Sequence, residues 1–309
     1  MSTVRVLGLG DNIVDRFVDR GVEYPGGNAV NVAVFARQLG AEAAYLGVFG
    51  DDEQGRFVRQ AIEDCGVDTS RSSVRPGPNG VTEIETVEGE RRFLGWNHGG
   101  VTLSDPVRLG EDDLRYASGF SLVHSSAYSG IVPELPKLAS TRTLRSYDFS
   151  SEPEYRTPEY LEAVGPWIDL ALVSLGGLSR TDTWAELRRI ASHGPSLVLG
   201  TLGDEGAVLF DGDAYYYSDA APVPGPFVDT MGCGDAYVSA FVVELLRSGW
   251  RRNARAGGAA LHRSMRRAAQ FAALQCTVEG AFGHGRAVDE TVRVGSLPPV
   301  AAGSAGDAS

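Results

Sequence analysis

Residues 228–246 read VDTMGCGDAYVSAFVVELL, a glycine-rich turn that runs directly into a segment with apolar residues at helical spacing. Glycines at 232 and 234 allow the backbone to turn without a Cβ clash, and the N-terminus of the following helix favours anions. Asp235 in the first helical turn can accept a proton from an attacking hydroxyl. The stretch therefore predicts an anion hole at Gly232, Cys233 and Gly234 beside a base, whereas an isolated GxGD string would indicate only a capping aspartate.

Outward from this stretch, short apolar segments alternate with amphipathic ones. This alternation predicts βαβ units and a mostly parallel sheet. The two last long segments, 234–248 and 256–276, are predicted helices. The segments typical of core strands are 4–10, 44–49, 119–124, 143–149, 169–174 and 196–201.

A predicted hairpin interrupts the alternation. Residues 80–87 and 91–96 form two short strand-like runs around a turn, and they favour a small β subdomain with residues 16–24 as a further part. We therefore expect one domain over residues 1–290, with a lid formed by about 16–25 and 79–102. The tail 291–309, rich in Ala, Gly, Ser and Pro, is expected to be disordered.

The composition excludes several classes of protein. The 309 residues carry a net charge of −12, which disfavours a nucleic-acid partner. The N-terminus lacks the pattern of a signal peptide, and no apolar run is long enough to span a membrane, so a cytoplasmic protein without a membrane partner is expected. The cysteines at 65, 233 and 276 are few and widely separated, which argues against a disulfide framework or a structural zinc site. The five scattered histidines favour solvated or core positions over metal ligation.

Lysine usage narrows the possible phosphate chemistry. Lys137 is the only lysine, and it follows Pro136 rather than a glycine-rich loop or a kinase-type strand motif. A P-loop enzyme and a protein kinase are both excluded by this context. Phosphate groups would be held by backbone amides, metal and arginine.

Two motifs together resemble those of the ribokinase-like, or PfkB, carbohydrate kinases. Residues 229–235, DTMGCGD, resemble the C-terminal signature usually written DTxGAGD, and residues 26–33, GGNAVNVA, resemble the N-terminal signature. The resemblance extends over residues 4–285. It implies a three-layer α/β/α core with a mostly parallel sheet and a small β lid, and an ATP-dependent sugar kinase that uses ATP and Mg²⁺.

The resemblance also implies roles for individual residues. Asp235 would be the catalytic base, and the amides of Gly232, Cys233 and Gly234 would form the anion hole. A monovalent cation such as K⁺ would bind near Asp229 and Thr230. The sugar would contact Asp11, Gly27, Asn28 and Asn31. The nucleotide would contact Thr201, Gly203, Gly206 and Gly280.

The sequence departs from the family pattern in two places. Many members carry an Asn-x-x-Glu motif that organises Mg²⁺, whereas the corresponding residues 174–177 read SLGG. Cys233 stands where alanine is usual. It is either a tolerated small residue or a thiol whose pKa is lowered at a helix N-terminus and which is open to oxidation.

Several further stretches resemble the fructoselysine 6-kinase branch of the family. They are residues 10–15, GDNIVD, the brief segment 16–24, and residues 147–150, YDFS. This resemblance implies a fructose-amine substrate phosphorylated on its 6-hydroxyl. Phe93 and Trp96 in the hairpin would stack on that substrate or cover a homodimer interface.

Three other functions remain open at the level of sequence. A kinase for another sugar or a nucleoside would share every motif. A non-catalytic sugar sensor would fit the missing Asn-x-x-Glu. A dehydrogenase would use Gly8 and Gly10 as a dinucleotide loop, but Ile13 occupies its third glycine position.

Overall fold

The computed structural model describes residues 3–87, 90–288 and 297–298. The strands are β1 (Arg5–Gly10), β2 (Ile13–Phe17), β3 (Val22–Gly26), β4 (Glu42–Gly50), β5 (Ser73–Arg75), β6 (Val81–Val87), β7 (Glu90–Trp96), β8 (Leu122–Ser126), β9 (Leu144–Asp148), β10 (Leu170–Ser174), β11 (Leu197–Thr201), β12 (Ala207–Phe210), β13 (Tyr215–Ser218) and β14 (Arg286–Ala287). The α-helices are α1 (Asn28–Gln38), α2 (Glu53–Asp64), α3 (Val101–Ser104), α4 (Glu111–Ala117), α5 (Leu135–Leu138), α6 (Pro158–Val164), α7 (Arg180–Ala191), α8 (Cys233–Arg247) and α9 (Gly258–Gln275).

A nine-stranded sheet lies between two layers of helices. Its order is β13-β12-β11-β10-β9-β8-β1-β4-β5, parallel from β5 to β11 and antiparallel at β12 and β13. Neighbouring residues of β1 face opposite sides, since Val6 belongs to the apolar core beneath α1, α8 and α9, and Leu7 belongs to the core on the other face. Both faces are therefore buried, which explains the nearly continuous apolar strands and confirms the predicted α/β/α architecture.

A second sheet has the order β14-β3-β2-β6-β7. The predicted segment 16–24 is in fact two antiparallel strands that begin at Ile13, joined by a turn at Gly21 with φ of 61°. A buried ion pair joins them, with Arg16 Nη2 at 3.0 Å from Glu23 Oε2. Arg286 on β14 also contacts Glu23, at 2.7 Å. The alternation of apolar and polar residues in this segment is too short to show from sequence whether it forms one strand or two.

Other elements also differ from the sequence prediction. The strand predicted at 119–124 is β8 at Leu122–Ser126, and the short edge strands β5 and β14 were not predicted. Of the tail expected to be disordered, only Leu297 and Pro298 are among the described residues. The Pro298 carbonyl accepts a hydrogen bond from the Trp96 amide at 3.0 Å. The other tail residues lie outside the described part of the chain.

The parallel strands bring their carboxyl ends to one edge of the central sheet. Five of them end within a short distance of one another along this edge, which is where ligands bind in open α/β sheets. The terminal residues are Gly10, Ser126, Asp148, Ser174 and Thr201. Within the described ranges, no helix has the length and apolar character to cross a membrane.

Candidate active site

Helix α8 begins at the glycine-rich turn. Gly232 is its N-cap residue, with φ of 71°, and a Cβ there would lie 2.8 Å from Cβ of Ala281. A larger residue at 232 would therefore meet both backbone strain and a clash. The turn places Asp235 in the first turn of α8, with its side chain partly buried.

Two asparagines of α1 hold the Asp235 carboxylate. Asn28 Nδ2 donates to Asp235 Oδ1 at 2.6 Å, and Asn31 Nδ2 donates to Oδ2 at 2.7 Å. Residues three apart share a helix face, so the motif in α1 presents both amides to the same carboxylate. The Asn31 Oδ1 atom is buried without a hydrogen-bond partner in the described chain.

Gly27 sets the start of α1 against β1. Its φ is 110°, and a Cβ would lie 2.7 Å from Cα of Asn12. Buried Asp11 follows β1 and accepts hydrogen bonds on Oδ1 from Ser126 Oγ at 2.8 Å and Ser129 Oγ at 2.6 Å. The predicted sugar-contacting residues Asp11, Asn28 and Asn31 are thus brought together with Asp235.

A buried relay that the sequence reasoning missed orients Asn28. His124 Nε2 lies 2.6 Å from Asn28 Oδ1, and His124 Nδ1 lies 2.8 Å from Ser146 Oγ. Burial lowers the pKa of His124 to about 3, so the ring is neutral. Because the Asn28 oxygen can only accept, Nε2 carries the proton and Nδ1 accepts from Ser146. The hydrogen bond directs the Asn28 amide NH₂ toward Asp235.

Asp148 at the end of β9 is a second missed residue. Its Oδ2 accepts the other hydrogen bond of Asn28 Nδ2, at 2.8 Å. His124 and Asp148 had one usable signal, since each lies at or near the carboxyl end of a predicted parallel strand. The scattered placement of histidine in the sequence favoured a solvated or core role instead.

The site carries an excess of carboxylates. Burial, then the charge of Asp148, raises the pKa of Asp235 well above its usual range, although the Asn31 hydrogen bond opposes this. Burial raises the pKa of Asp148 to about 6. Burial raises the pKa of Asp15 to about 7, with Arg91 opposing and Asp229 adding to the effect. A cationic ligand would lower all three values.

The predicted nucleotide residues lie farther along the sheet edge. Thr201 Oγ1 donates to Ser174 Oγ at 3.5 Å, which joins this loop to the stretch that replaces Asn-x-x-Glu. Gly203 and Gly206 have φ of 63° and 93°. None of the hydrogen bonds or ion pairs found in the described chain connects this loop to Asp235. Gly280 lies elsewhere, against Tyr24 of β3, where a Cβ would be 2.7 Å from the ring.

Cys233 does not fit the lowered-pKa interpretation. Its Sγ lies 3.2 Å from Cys276 Sγ, and this hydrogen bond together with burial raises the pKa of Cys233. The same hydrogen bond lowers the pKa of Cys276 to about 7, so Cys276 is the more reactive thiol. The Cys233 amide donates to the Thr230 carbonyl at 3.1 Å. The predicted anion hole therefore depends on the Gly232 and Gly234 amides.

The pair predicted to hold a monovalent cation contacts an arginine. Arg91 Nη2 donates to Thr230 Oγ1 at 2.7 Å, and Asp229 Oδ1 accepts from the Met231 amide at 3.0 Å. Over the described residues, no group of three or more His, Cys, Asp and Glu side chains has the geometry of a metal site.

The sequence model described as pfkB family carbohydrate kinase matches residues 12–283. The chain belongs to this family. Fructosamine kinase FrlD of Bacillus subtilis (strain 168) is 32% identical over 283 residues, covering 91% of this chain and 94% of that protein. Fructoselysine 6-kinase of Escherichia coli (strain K12) is 29% identical over 234 residues, covering 76% of this kinase and 86% of that one.

Solved structures agree with this kinase in fold. Ribokinase from Giardia lamblia matches with a TM-score of 0.74 at 17% identity, over 90% of this chain and 96% of that one. Arabidopsis thaliana ribokinase, solved with ribose and ATP, matches with a TM-score of 0.71 at 20% identity, over 91% and 95% of the two chains. The two ribokinases support the ribokinase-like α/β architecture.

Proposed function

We propose that this carbohydrate kinase transfers the γ-phosphoryl group of ATP to the 6-hydroxyl of a fructose-amine such as fructoselysine. The acceptor oxygen attacks the γ-phosphorus, the bond to the β–γ bridging oxygen breaks, and the hydroxyl proton passes to Asp235. Asn28 and Asn31 hold the carboxylate in place for this proton transfer. The amides of Gly232 and Gly234 stabilise the charge that develops on the phosphoryl group.

The observation that carries the substrate proposal is the carboxylate cluster. Asp15, Asp148 and Asp235 are partly buried, and all three have raised pKa values. Burial is the largest cause of each shift, and a neutral sugar would do nothing to stabilise the ionised forms. A fructose-amine carries an ammonium group that would favour the ionised forms of Asp15 and Asp148, and two of the similar proteins are named for such substrates.

The divalent ion is proposed as Mg²⁺, bound with ATP. Residues 174–177 offer no carboxylate or amide side chain, so this loop does not fit a direct metal shell. When bound, the ion would neutralise charge on the β- and γ-phosphates.

The K⁺ proposal places a monovalent cation at Asp229 and Thr230. A bound cation would have to share these residues with Arg91, which already occupies the Thr230 hydroxyl. Rates in K⁺ and in tetramethylammonium at equal ionic strength test this role. Equal rates in the two salts would contradict it.

The homodimer proposal rests on exposed apolar side chains of the second sheet. Phe93 is 36% exposed and Val87 is 46% exposed, on opposite faces of the β6–β7 hairpin, and exposed apolar side chains of this kind favour a protein partner. Sedimentation of the wild type and of Phe93→Ser measures the association. A monomeric wild type would contradict the proposal.

The experiment that tests the substrate is a coupled ADP-release assay with Mg-ATP. The panel contains fructoselysine, other fructose-amines, fructose, ribose and nucleosides. A matched compound, a 1-O-alkyl fructose of the same length, replaces the amine nitrogen by an ether oxygen and removes the charge. We expect kcat/KM for fructoselysine to exceed that for the ether about 100-fold, as for a close pair of opposite charges.

Variants of the carboxylate cluster test whether its charges cause the preference for the amine. Asp15→Asn and Asp148→Asn should each reduce the preference for fructoselysine over the ether, because each removes a charge that faces the ammonium. Equal kcat/KM for amine and ether in the wild type would contradict the proposed substrate. Preferred turnover of a nucleoside would favour the alternative within the same family.

A further inference from the structure

An arginine of the second sheet contacts the loop at the start of α8. Arg91 on β7 donates from Nη2 to Thr230 Oγ1 at 2.7 Å, and its Nε lies 3.9 Å from Asp229 Oδ1. The Arg91 side chain is 17% exposed and that of Asp229 is 10% exposed. The arginine is therefore held in place before any ligand binds, and part of its surface remains accessible.

The charge of Arg91 acts on both halves of the site. It counteracts the raised pKa of Asp15 on β2 and that of Cys233 in the glycine-rich turn. The guanidinium is thus close enough to Asp15 and to the turn beside Asp235 to influence the pKa values of both groups. In the proposed reaction the transferring phosphoryl group lies beside the same turn.

No other cation takes this position in the part of the chain that the structure describes. Arg91 is the one arginine or lysine there that forms a hydrogen bond or ion pair with a side chain of the loop 229–235. The sole lysine, Lys137, pairs with Glu134 at 2.7 Å instead. The loop 174–177 supplies no charged side chain. The site therefore has a single fixed positive group near the glycine-rich turn.

We propose that Arg91 is a catalytic residue that donates hydrogen bonds to the equatorial oxygens of the transferring phosphoryl group. A planar guanidinium presents paired donors that match phosphate oxygens. Charge spreads over these oxygens in the transition state, so the interaction strengthens as transfer proceeds. The new bond joins the acceptor oxygen to the γ-phosphorus, the bond to the bridging oxygen breaks with its electron pair on ADP, and the proton passes to Asp235. Arg91 forms and breaks no covalent bond.

This inference rests on the phosphoryl transfer proposed above, but not on which sugar is the acceptor. The location of Arg91 on β7 also links catalysis to the second sheet. Turnover would therefore depend on the hydrogen bond that Arg91 of the second sheet donates to Thr230.

The test compares Arg91→Ala with Arg92→Ala. Arg92 is the next residue on β7, is 68% exposed and pairs with Glu85, so its removal is a matched control for loss of charge on the same strand. We expect Arg91→Ala to lower kcat about 100-fold or more, as for loss of one preorganised donor, with little change in KM for the sugar. Arg92→Ala should retain wild-type kcat. Arg91→Lys should recover only part of the rate, because an ammonium lacks the paired donors.

Guanidinium chloride at non-denaturing concentration provides a second readout. It should increase kcat of Arg91→Ala and leave Arg92→Ala unchanged, which a purely structural role would not produce. The idea is overturned if kcat of Arg91→Ala stays within about threefold of the control. It is also overturned if only the KM for the sugar rises, because Arg91 would then anchor the sheet without touching the phosphoryl group.

The acceptor is the best substrate in the panel, and ATP hydrolysis without sugar is measured in parallel. An Arg91→Ala defect in both reactions supports the role even if every fructose-amine is inactive. Normal rates of Arg91→Ala with an active fructose-amine overturn the role of Arg91 and leave the proposed substrate intact. The two proposals therefore fail through different measurements.

Discussion

The proposed acceptor half and the proposed nucleotide half of the site are built in different ways. In the acceptor half, buried or partly buried side chains join through hydrogen bonds of 2.6–2.8 Å; its residues are Asn28, Asn31, His124, Asp148 and Asp235. In the nucleotide half, turns and glycines with positive φ dominate, and the contact between Thr201 and Ser174 is a long 3.5 Å; its residues are Ser174, Thr201, Gly203 and Gly206.

This difference between a side-chain network and a backbone-lined surface indicates how well each half tolerates amino-acid substitutions. A network of hydrogen-bonded polar side chains depends on each member, because an unpaired buried polar group is costly. A backbone-lined surface depends only on the conformation of its turns. The family's Asn-x-x-Glu can therefore be absent from the nucleotide half, whereas the acceptor half should be sensitive to single atoms.

The largest expected effect is that of Asp235→Asn. It removes the group that accepts the proton, so kcat should fall about 1,000-fold. Calorimetry should show sugar binding close to wild type. Asp112→Asn, on the exposed surface of α4, is the control. A rate for Asp235→Asn near that of the control would exclude Asp235 as the base.

The relay through Asn28 should give the next largest effect. His124→Leu removes the donor that orients the Asn28 amide, and we expect kcat to fall about 10- to 100-fold through misplacement of the carboxylate. His124→Gln can retain an N–H donor and should recover part of the rate. In an Asn28→Ala background, His124→Leu should have no additional effect on kcat. Additive losses in the double variant would show that His124 acts through another route.

The pH profile provides a third comparison. The base must be ionised, and its pKa is raised, so kcat/KM should be full at high pH and fall as pH decreases through that raised value. The midpoint should lie well above about 3.9, the value of an unperturbed aspartic acid. Asn31→Ala removes a hydrogen bond that stabilises the carboxylate, so the midpoint should move further up. A downward shift would contradict the role of Asn31.

The smallest effect is expected at the paired thiols, next to the glycine-rich turn. A thiol reagent near pH 7 should modify Cys276 first, because its pKa is about 7, whereas that of Cys65 is about 11. Peptide mapping identifies the modified residue. Inhibition should be partial, be reduced by bound ATP and disappear in Cys276→Ser. Modification of Cys65 before Cys276 would contradict the assignment.

Much of the site could be predicted because two local motifs carry it. The residues GGNAVNVA and DTMGCGDA combine glycines required by turns with polar residues at the starts of helices, and both properties are visible in sequence. Asn28, Asn31 and Asp235 lie in these motifs and Asp11 follows the first strand; the sugar-binding roles predicted for Asp11, Asn28 and Asn31 came from the family resemblance, and the structure brings all four residues together. The roles of the predicted nucleotide residues stay predictions.

The contacts of His124, Asp148 and Arg91 could not be predicted, because a place at the end of a strand, or in the YDFS stretch for Asp148, does not tell which distant side chain the residue meets. Each contacts a partner 96 to 139 positions away along the chain. Of the two interpretations of Cys233, the lowered pKa does not hold, for the same reason. Its pKa is governed by Cys276, 43 positions later, rather than by its own helix.

The sequence by itself determined the fold class and the family and located the proposed base, because strand–helix periodicity and turn glycines depend on neighbouring residues. Only the tertiary structure decided how Asp235 is held, which of the paired thiols has the lowered pKa and which cation reaches the loop. Those properties depend on distances across strands and on burial from water. They exist only when β7, β8, β9 and α1 meet at the start of α8.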